Sequence, residues 1–139
     1  MIDFSYQKEG FHIDGTIKLQ KWLEDFIRLE GCSLGDVSFV FCDDEYLLQI
    51  NKEFLDHDYY TDIISFDYRL GNQLNGEIYI SVDRVKDNAD ELGLEFDEEM
   101  HRVMAHGILH FIGYKDKTAT EQMDMRRKEN EVLELRRFT

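Results

Sequence analysis

Residues 103–112 read VMAHGILHFI, and this stretch decides the fold. Met100, Val103, Met104, Gly107, Ile108 and Phe111 recur at i, i+3, i+4, i+7, i+8 and i+11, while Ala105, Leu109 and Ile112 widen the stripe. A helix apolar over most of its circumference belongs at the centre of a core, and the spacing predicts one from about Asp97 to Ile112. His106 and His110 are the only polar side chains between Val103 and Ile112. They stand on one face, one turn apart, so two imidazoles on a rigid support can grip a single cation. Gly113 supplies a left-handed stop, after which the chain can turn back and bring Asp116 across the helix end as a third ligand. Two histidines and a carboxylate with an open fourth position form a catalytic zinc arrangement. Such a metal brings the pKa of its water to around 7 and polarises a phosphoryl or carbonyl oxygen. The metalloprotease pattern His-Glu-x-x-His is not met, because Gly107 stands where its general-base Glu would be. A bare His-x-x-x-His pair also occurs as surface or hydrogen-bonded core histidines; the apolar setting is what favours a metal here. His12, His57 and His101 are scattered, and structural or exposed roles are expected for them.

Outward from that helix, the chain reads as an α+β domain. Ile2–Tyr6 is a short strand. Thr16–Glu30 is an amphipathic helix with Leu19, Trp22, Leu23, Phe26 and Ile27 on its core face and Gly31 as its stop. Asp36–Cys42 is a strand. Asp43 or Asp44 then caps a helix to about Leu55, with Leu47, Ile50 and Phe54 inward. Thr61–Leu70 is a strand with Ile64, Phe66, Tyr68 and Leu70 on one face. The segment from Gly71 to Gly76, containing Asn75-Gly76, is expected to be a hairpin loop into the strand Glu77–Ser81. Val82, Val85, Ala89 and Leu92 mark a helix ended by Gly93. The capping-box pattern Thr118-x-x-Glu121 opens a last helix to about Arg137. The expected architecture is a small mixed sheet of about four strands packed by about five helices. It forms a single domain over 1–139, with the metal site at the end of a central helix.

Composition sets limits. Apolar residues are 42% of the chain, with 10 Phe, 7 Tyr and 1 Trp, enough to bury a normal core and to set disorder aside. There is no proline. No basic-then-apolar start marks a signal peptide, and no run approaches the roughly 18 apolar residues of a membrane span. Cys32 and Cys42 have no metal-type spacing and are expected as reduced thiols, so the location expected is the cytoplasm. The formal net charge of −14 runs against the positive footprint that phosphate binding usually draws on. The cations cluster as Lys115/Lys117, Arg126-Arg127-Lys128 and Arg136-Arg137, all after the histidine pair. They are either a local basic face near the site or the solvated sides of a C-terminal helix.

The run His106-Gly107-Ile108-Leu109-His110-Phe111-Ile112-Gly113-Tyr114 resembles the signature of the YbeY family of bacterial endoribonucleases, His-Gly-x-Leu-His-Leu-x-Gly-Tyr-Asp-His. Thr61-Asp62-Ile63-Ile64-Ser65-Phe66 is similar to the family's Thr-Asp-Val-Leu-Ser-Phe strand, and Asn51 stands ten residues before Thr61, as a family Asn does. Gly76-Glu77-Ile78-Tyr79-Ile80 resembles its Gly-Asp-Ile-x-Ile strand. Order and spacing hold from about Asn51 to Asp116. The resemblance implies one metal per chain, usually zinc, held by three residues. It implies cleavage of single-stranded RNA, not DNA, in finishing the 3′ end of small-subunit ribosomal RNA. The partners it implies are that RNA and small-subunit ribosomal proteins or an assembly GTPase, with no membrane.

Two departures from the family pattern bear on function. Asp116 stands where the family has its third His; carboxylate is a competent zinc ligand, and its charge makes metal-bound water less acidic. Leu55 stands where family members carry an Arg able to hold a phosphate bidentately. Lys115, Lys117, Arg69 and His57 are the candidate substitutes for that catalytic role. Thr61, Asp62, Ser65 and Glu77 are candidates to line the substrate cleft, and Asp67 is expected to be an ordinary strand residue. Three other readings stay open: a non-catalytic, metal-stabilised ribosome assembly factor, a metal-dependent hydrolase of peptides or other small substrates, and a purely structural zinc.

Overall fold

The computed structural model describes residues 1–138. Its elements are β1 (Ile2–Tyr6), α1 (Thr16–Leu29), β2 (Ser33–Cys42), α2 (Asp44–Leu55), β3 (Ile63–Asp67), β4 (Gln73–Ser81), α3 (Val82–Leu92), α4 (Phe96–Ile112) and α5 (Ala119–Glu134). The sheet has the order β1-β2-β4-β3. β1, β2 and β4 run parallel, and β3 returns antiparallel to β4, so the sheet is mixed as the sequence predicts.

Register explains which face of the sheet carries the core. Ile2, Phe4 and Tyr6 pair with Val37, Phe39 and Phe41, and the last two of these pair in turn with Ile78 and Ile80 of β4. Because side chains alternate along a strand, this row points to one side, where α1 and α4 cover it. α1 contributes Leu19, Trp22, Leu23, Phe26 and Ile27, the five residues expected, all buried. The opposite face carries a smaller apolar group of Cys42, Leu47 and Ile64, with Ile50, Phe66 and Tyr79 at its edge, beneath α2. At β1 that face turns Asp3 and Ser5 to solvent.

Several boundaries and faces depart from the sequence reading. β2 begins at Ser33 rather than Asp36, because Ser33 and Leu34 pair with Gln73 and Leu74 ahead of an irregularity in the ladder. There Asn75 Oδ1 accepts from the Asp36 N–H at 2.9 Å. The hairpin turn is Gly71-Asn72 and not the longer loop to Gly76: Leu70 and Gln73 exchange both backbone hydrogen bonds, and Gly71 takes φ 59°. Gly76 instead lies within β4, where a Cβ would sit 2.5 Å from both Phe111 Cζ and the Phe66 carbonyl oxygen. Tyr68 and Leu70, expected to share a strand face with Ile64 and Phe66, lie beyond the end of β3 and are exposed.

α2 is turned relative to its expected face. Phe54 is 66% exposed, and Leu48 and Asn51 are buried in its place. Asn51 faces in because it anchors the following loop, its Nδ2 donating to the Tyr59 carbonyl and its own carbonyl accepting from His57 N–H. Leu92 likewise faces solvent. α5 ends at Glu134, short of Arg137, and Arg136 folds back to donate to the Leu133 carbonyl and Glu98.

His101 is 6% exposed, between the rings of Trp22 and Phe138. Its Nδ1 lies 2.9 Å from Arg136 Nη1 and accepts from it. Burial, then the charge of Arg136, pushes its pKa down to about 4, against Asp97 and Glu98.

Two stability predictions follow from this packing. Gly76→Ala forces a methyl into a close-packed contact that includes backbone, and should cost about 2–3 kcal/mol in urea unfolding. An unchanged midpoint would contradict the packing. Because the folded-state pKa of His101 lies below the unfolded value, the unfolded chain takes up the proton first as pH falls. The His101 contribution is complete above about pH 6.5 and is lost on the way down to about pH 4. Between pH 7 and pH 5 the wild type should lose roughly 2 kcal/mol more than His101→Asn. Equal losses would mean that His101 protonates freely in the folded state.

Candidate metal centre

α4 carries the site because one of its faces is polar. Glu99, Arg102, His106 and His110 fall at i, i+3, i+7 and i+11, a stripe running toward the helix C-terminus. From Met100 to Phe111 the other faces are buried, and Gly107 lets the helix lie against β4: a Cβ there would stand 2.9 Å from Ile78 Cδ1. Gly113, with φ 123°, ends the helix, and its N–H bonds back to the carbonyls of Leu109 and His110. The turn that follows returns Asp116 to the histidines.

Three donor atoms converge. His106 Nε2 and His110 Nε2 are 2.9 Å apart, and each lies 3.2 Å from Asp116 Oδ2. Ligands of a tetrahedral zinc, each about 2.0–2.1 Å from the ion, stand about 3.3 Å from one another. The triangle therefore has nearly the size of one face of such a tetrahedron. Its chemistry fits as well. His106 Nδ1 lies 2.7 Å from Glu129 Oε2, and donation of Nδ1–H to that carboxylate leaves the Nε2 lone pair aimed at the other two donors. Lone pairs brought this close repel unless a cation or proton lies among them.

Glu129 is the residue that sequence reasoning missed. It is 5% exposed on α5, at i+4 from Met125 and ahead of Val132 and Leu133 on the buried stripe. An acidic residue in an apolar stripe was the available signal. Arg102 Nη1 donates to its other oxygen at 3.0 Å, and Arg102 Nη2 to Asn130 at 2.9 Å. Burial works against a charged Glu129, but hydrogen bonds from His106 and Arg102 outweigh it and hold its pKa low. Burial also works against charging His106, and Glu129, Asp116 and Asp62 outweigh that and raise its pKa. The two shifts agree on an ion-pair-like contact.

The donor group opens on a cleft of about 840 Å³ between α4, α5 and β3. Thr61, Asp62 and Ser65 line it, as do His57 and Lys117. Asp67 lines it too, on the same side of β3 as Ser65. Burial raises the carboxyl pKa of Asp62, opposed by His106. Burial raises that of Glu99 as well, and Asp62 adds to the effect; Glu99 Oε1 is buried with no hydrogen-bond partner among the described residues. Leu55, on the rim, gives this wall no charge.

Three expected residues lie elsewhere. Glu77 is on the far side of β4, receiving hydrogen bonds from Tyr68 and Tyr79 hydroxyls. Arg69 is engaged at the end of α4, where Nη1 donates to the carbonyls of Phe111 and Ile112 and Nε to that of Gly71. Lys115 is exposed outside the cleft. Position along the strand suggested Glu77, but the alternation of the sheet sends it across.

Glu129→Gln removes the charge that orients His106 without changing shape. It should weaken metal retention roughly tenfold in competition with a chelator. Unchanged retention would mean that Glu129 does not support the donor group.

The family model described as Endoribonuclease YbeY matches residues 4–136. A Christiangramia forsetii protein named Endoribonuclease YbeY is 54% identical over 130 residues, covering 94% of this chain and 91% of its own. One of the same name from Cytophaga hutchinsonii is 50% identical over 138 residues, covering 99% and 96%. The solution structure of the Thermotoga maritima protein TM1509 superposes with a TM-score of 0.70 at 25% identity, over 97% of this chain and 88% of that one. The extent and level of these matches, over the whole of the fold just described, show that the chain belongs to the YbeY endoribonuclease family.

Proposed function

We propose that this protein is a zinc-dependent endoribonuclease that cuts single-stranded RNA during maturation of the small-subunit ribosomal RNA, with His106, His110 and Asp116 as its metal ligands. The observation that carries the reading is the donor triangle, buttressed by Glu129 and open to the cleft, in a chain of this family. Zinc, when bound, supplies Lewis-acid polarisation of the scissile phosphate and acidifies water in the site.

The protein's own groups do the rest. Glu129 fixes the His106 tautomer and Arg102 keeps Glu129 ionised, so the Nε2 lone pair stays available. Asp116 brings a negative charge that offsets the cation and favours retention. The three residues that would hold the metal line the cleft together with Thr61, Asp62 and Ser65, which would meet the substrate there. The catalytic role left open by Leu55 falls to a cation of the cleft rather than to Arg69 or Lys115. His57 is better placed to meet a base, because its ring stacks on that of Tyr59 at 5.1 Å on the cleft wall. A reducing, cytoplasmic location agrees with the unpaired Cys32 and Cys42, and no helix of the described residues is long and apolar enough to cross a membrane. Ribosomal RNA is then the substrate, with small-subunit proteins or an assembly GTPase as docking partners.

The test pairs metal content by plasma mass spectrometry with cleavage of a single-stranded oligoribonucleotide, for wild type and His110→Ala. The expected result is near-stoichiometric zinc and cleavage in the wild type, both lost together in the variant, with single-stranded DNA left uncut. Zinc without cleavage would contradict the enzymatic reading and favour a metal-stabilised assembly factor.

A further inference from the structure

An RNA phosphate faces an electrostatic problem in this cleft. The carboxylates of Asp62, Asp67, Glu99, Asp116 and Glu129 line it, against the cations of Arg102, Lys117 and Arg126. Arg102 is committed, since both its terminal nitrogens are hydrogen-bonded and its side chain is 16% exposed. Arg126 is not. Its side chain is 58% exposed, its approach to Glu129 is 3.7 Å, and it makes no hydrogen bond among the described residues.

Its position distinguishes it from Lys117. A second groove of about 850 Å³ runs over α5 past Gln122, Arg127 and Asn130. The two hollows share four residues: His106, Asp116, Glu129 and Arg126. A strand passing from one to the other crosses the donor group and Arg126 together, whereas Lys117 borders only the first. The first hollow also offers the stacked His57–Tyr59 pair, a surface on which an unpaired base can lie. The other basic residues of the C-terminal region are occupied or lie outside both hollows. Lys128 pairs with Glu30 at 2.6 Å, Arg136 with Glu98 at 2.6 Å, and Arg127, though it borders the groove, bonds to Glu131 at 2.9 Å.

We propose that Arg126 is the phosphate-binding residue of this cleft, its guanidinium gripping the phosphodiester that sits at the junction of the two hollows beside His106, His110 and Asp116. A guanidinium presents two parallel donors to a phosphate, the geometry that holds a strand in one register. The proposal rests on the RNA-cleaving reading and adds the residue that does the holding.

The experiment measures binding of a fluorescein-labelled single-stranded oligoribonucleotide by anisotropy across a salt series, for wild type, Arg126→Gln, Arg126→Ala, Arg126→Lys and Lys86→Gln. Lys86 is exposed on α3, outside both hollows, and its variant carries the same charge change. Metal content is read on every sample. Arg126→Gln and Arg126→Ala are expected to bind roughly tenfold more weakly, as for loss of one charge-assisted contact. Their plots of log affinity against log salt should be shallower by about 0.7, one phosphate contact on a single strand. Arg126→Lys should keep the wild-type slope and recover part of the affinity, and Lys86→Gln should match wild type. An unchanged slope and affinity in both neutral variants, with wild type binding and cutting RNA, overturns the role of Arg126 and leaves the function standing. A drop in affinity that tracks metal loss rather than charge overturns it too. Absence of RNA binding by the wild type overturns the functional reading and this proposal together.

Discussion

The site depends on how closely α4 lies on β4. Two glycines set that distance from opposite sides. Gly107 of the helix brings its backbone onto Ile78, and Gly76 of the strand makes room for Phe111. With the helix so seated its apolar faces are sealed, and its one polar stripe is left along the edge beside β3 and α5. A side chain at either glycine would lift the helix and carry both histidines with it. Rigid burial of the support is what lets two imidazoles hold a fixed separation.

Around that stripe the protein manages charge within a small volume. The His106–Glu129–Arg102 chain is nearly buried and Glu129 is its middle member, so removing that carboxylate would leave His106 Nδ1 without its partner and Arg102 held by Asn130 alone. Asp116, arriving from the turn after Gly113, is the most exposed of the three donors and the one that lies outside a helix. On the proposed reading, an acidic chain works on RNA through local arrangement rather than overall charge. Most of the carboxylates that make up the −14 lie away from the cleft, whose lining sets Arg102, Lys117 and Arg126 among five of them.

Much of this was legible in the sequence because it depends on local rules. The Thr118–Glu121 capping box, the stripe of α1 and the near-complete apolar surface of α4 are patterns of period and cap, and the structure has all three. Where the reading slipped, a tertiary contact had overridden the local pattern. Asn75-Gly76 looked like a turn, but Gly76 is there for Phe111, and the chain reverses at Gly71-Asn72 instead. Phe54 looked like core, but Asn51 is the residue α2 turns inward, to tie down the loop to Tyr59. Glu129 lies twenty-three residues from His106, and no spacing rule joins a carboxylate to a histidine on another helix. Arg126 was visible only as part of a basic run, whose members the fold sends to different partners.

The most direct test of the central claim is a crystal structure of the zinc-loaded protein with anomalous data collected across the zinc edge. One strong peak is expected, about 2.0–2.1 Å from His106 Nε2, His110 Nε2 and an Asp116 oxygen, with the fourth side open to the cleft. A peak at other residues, or a fourth protein ligand closing the site, would contradict it.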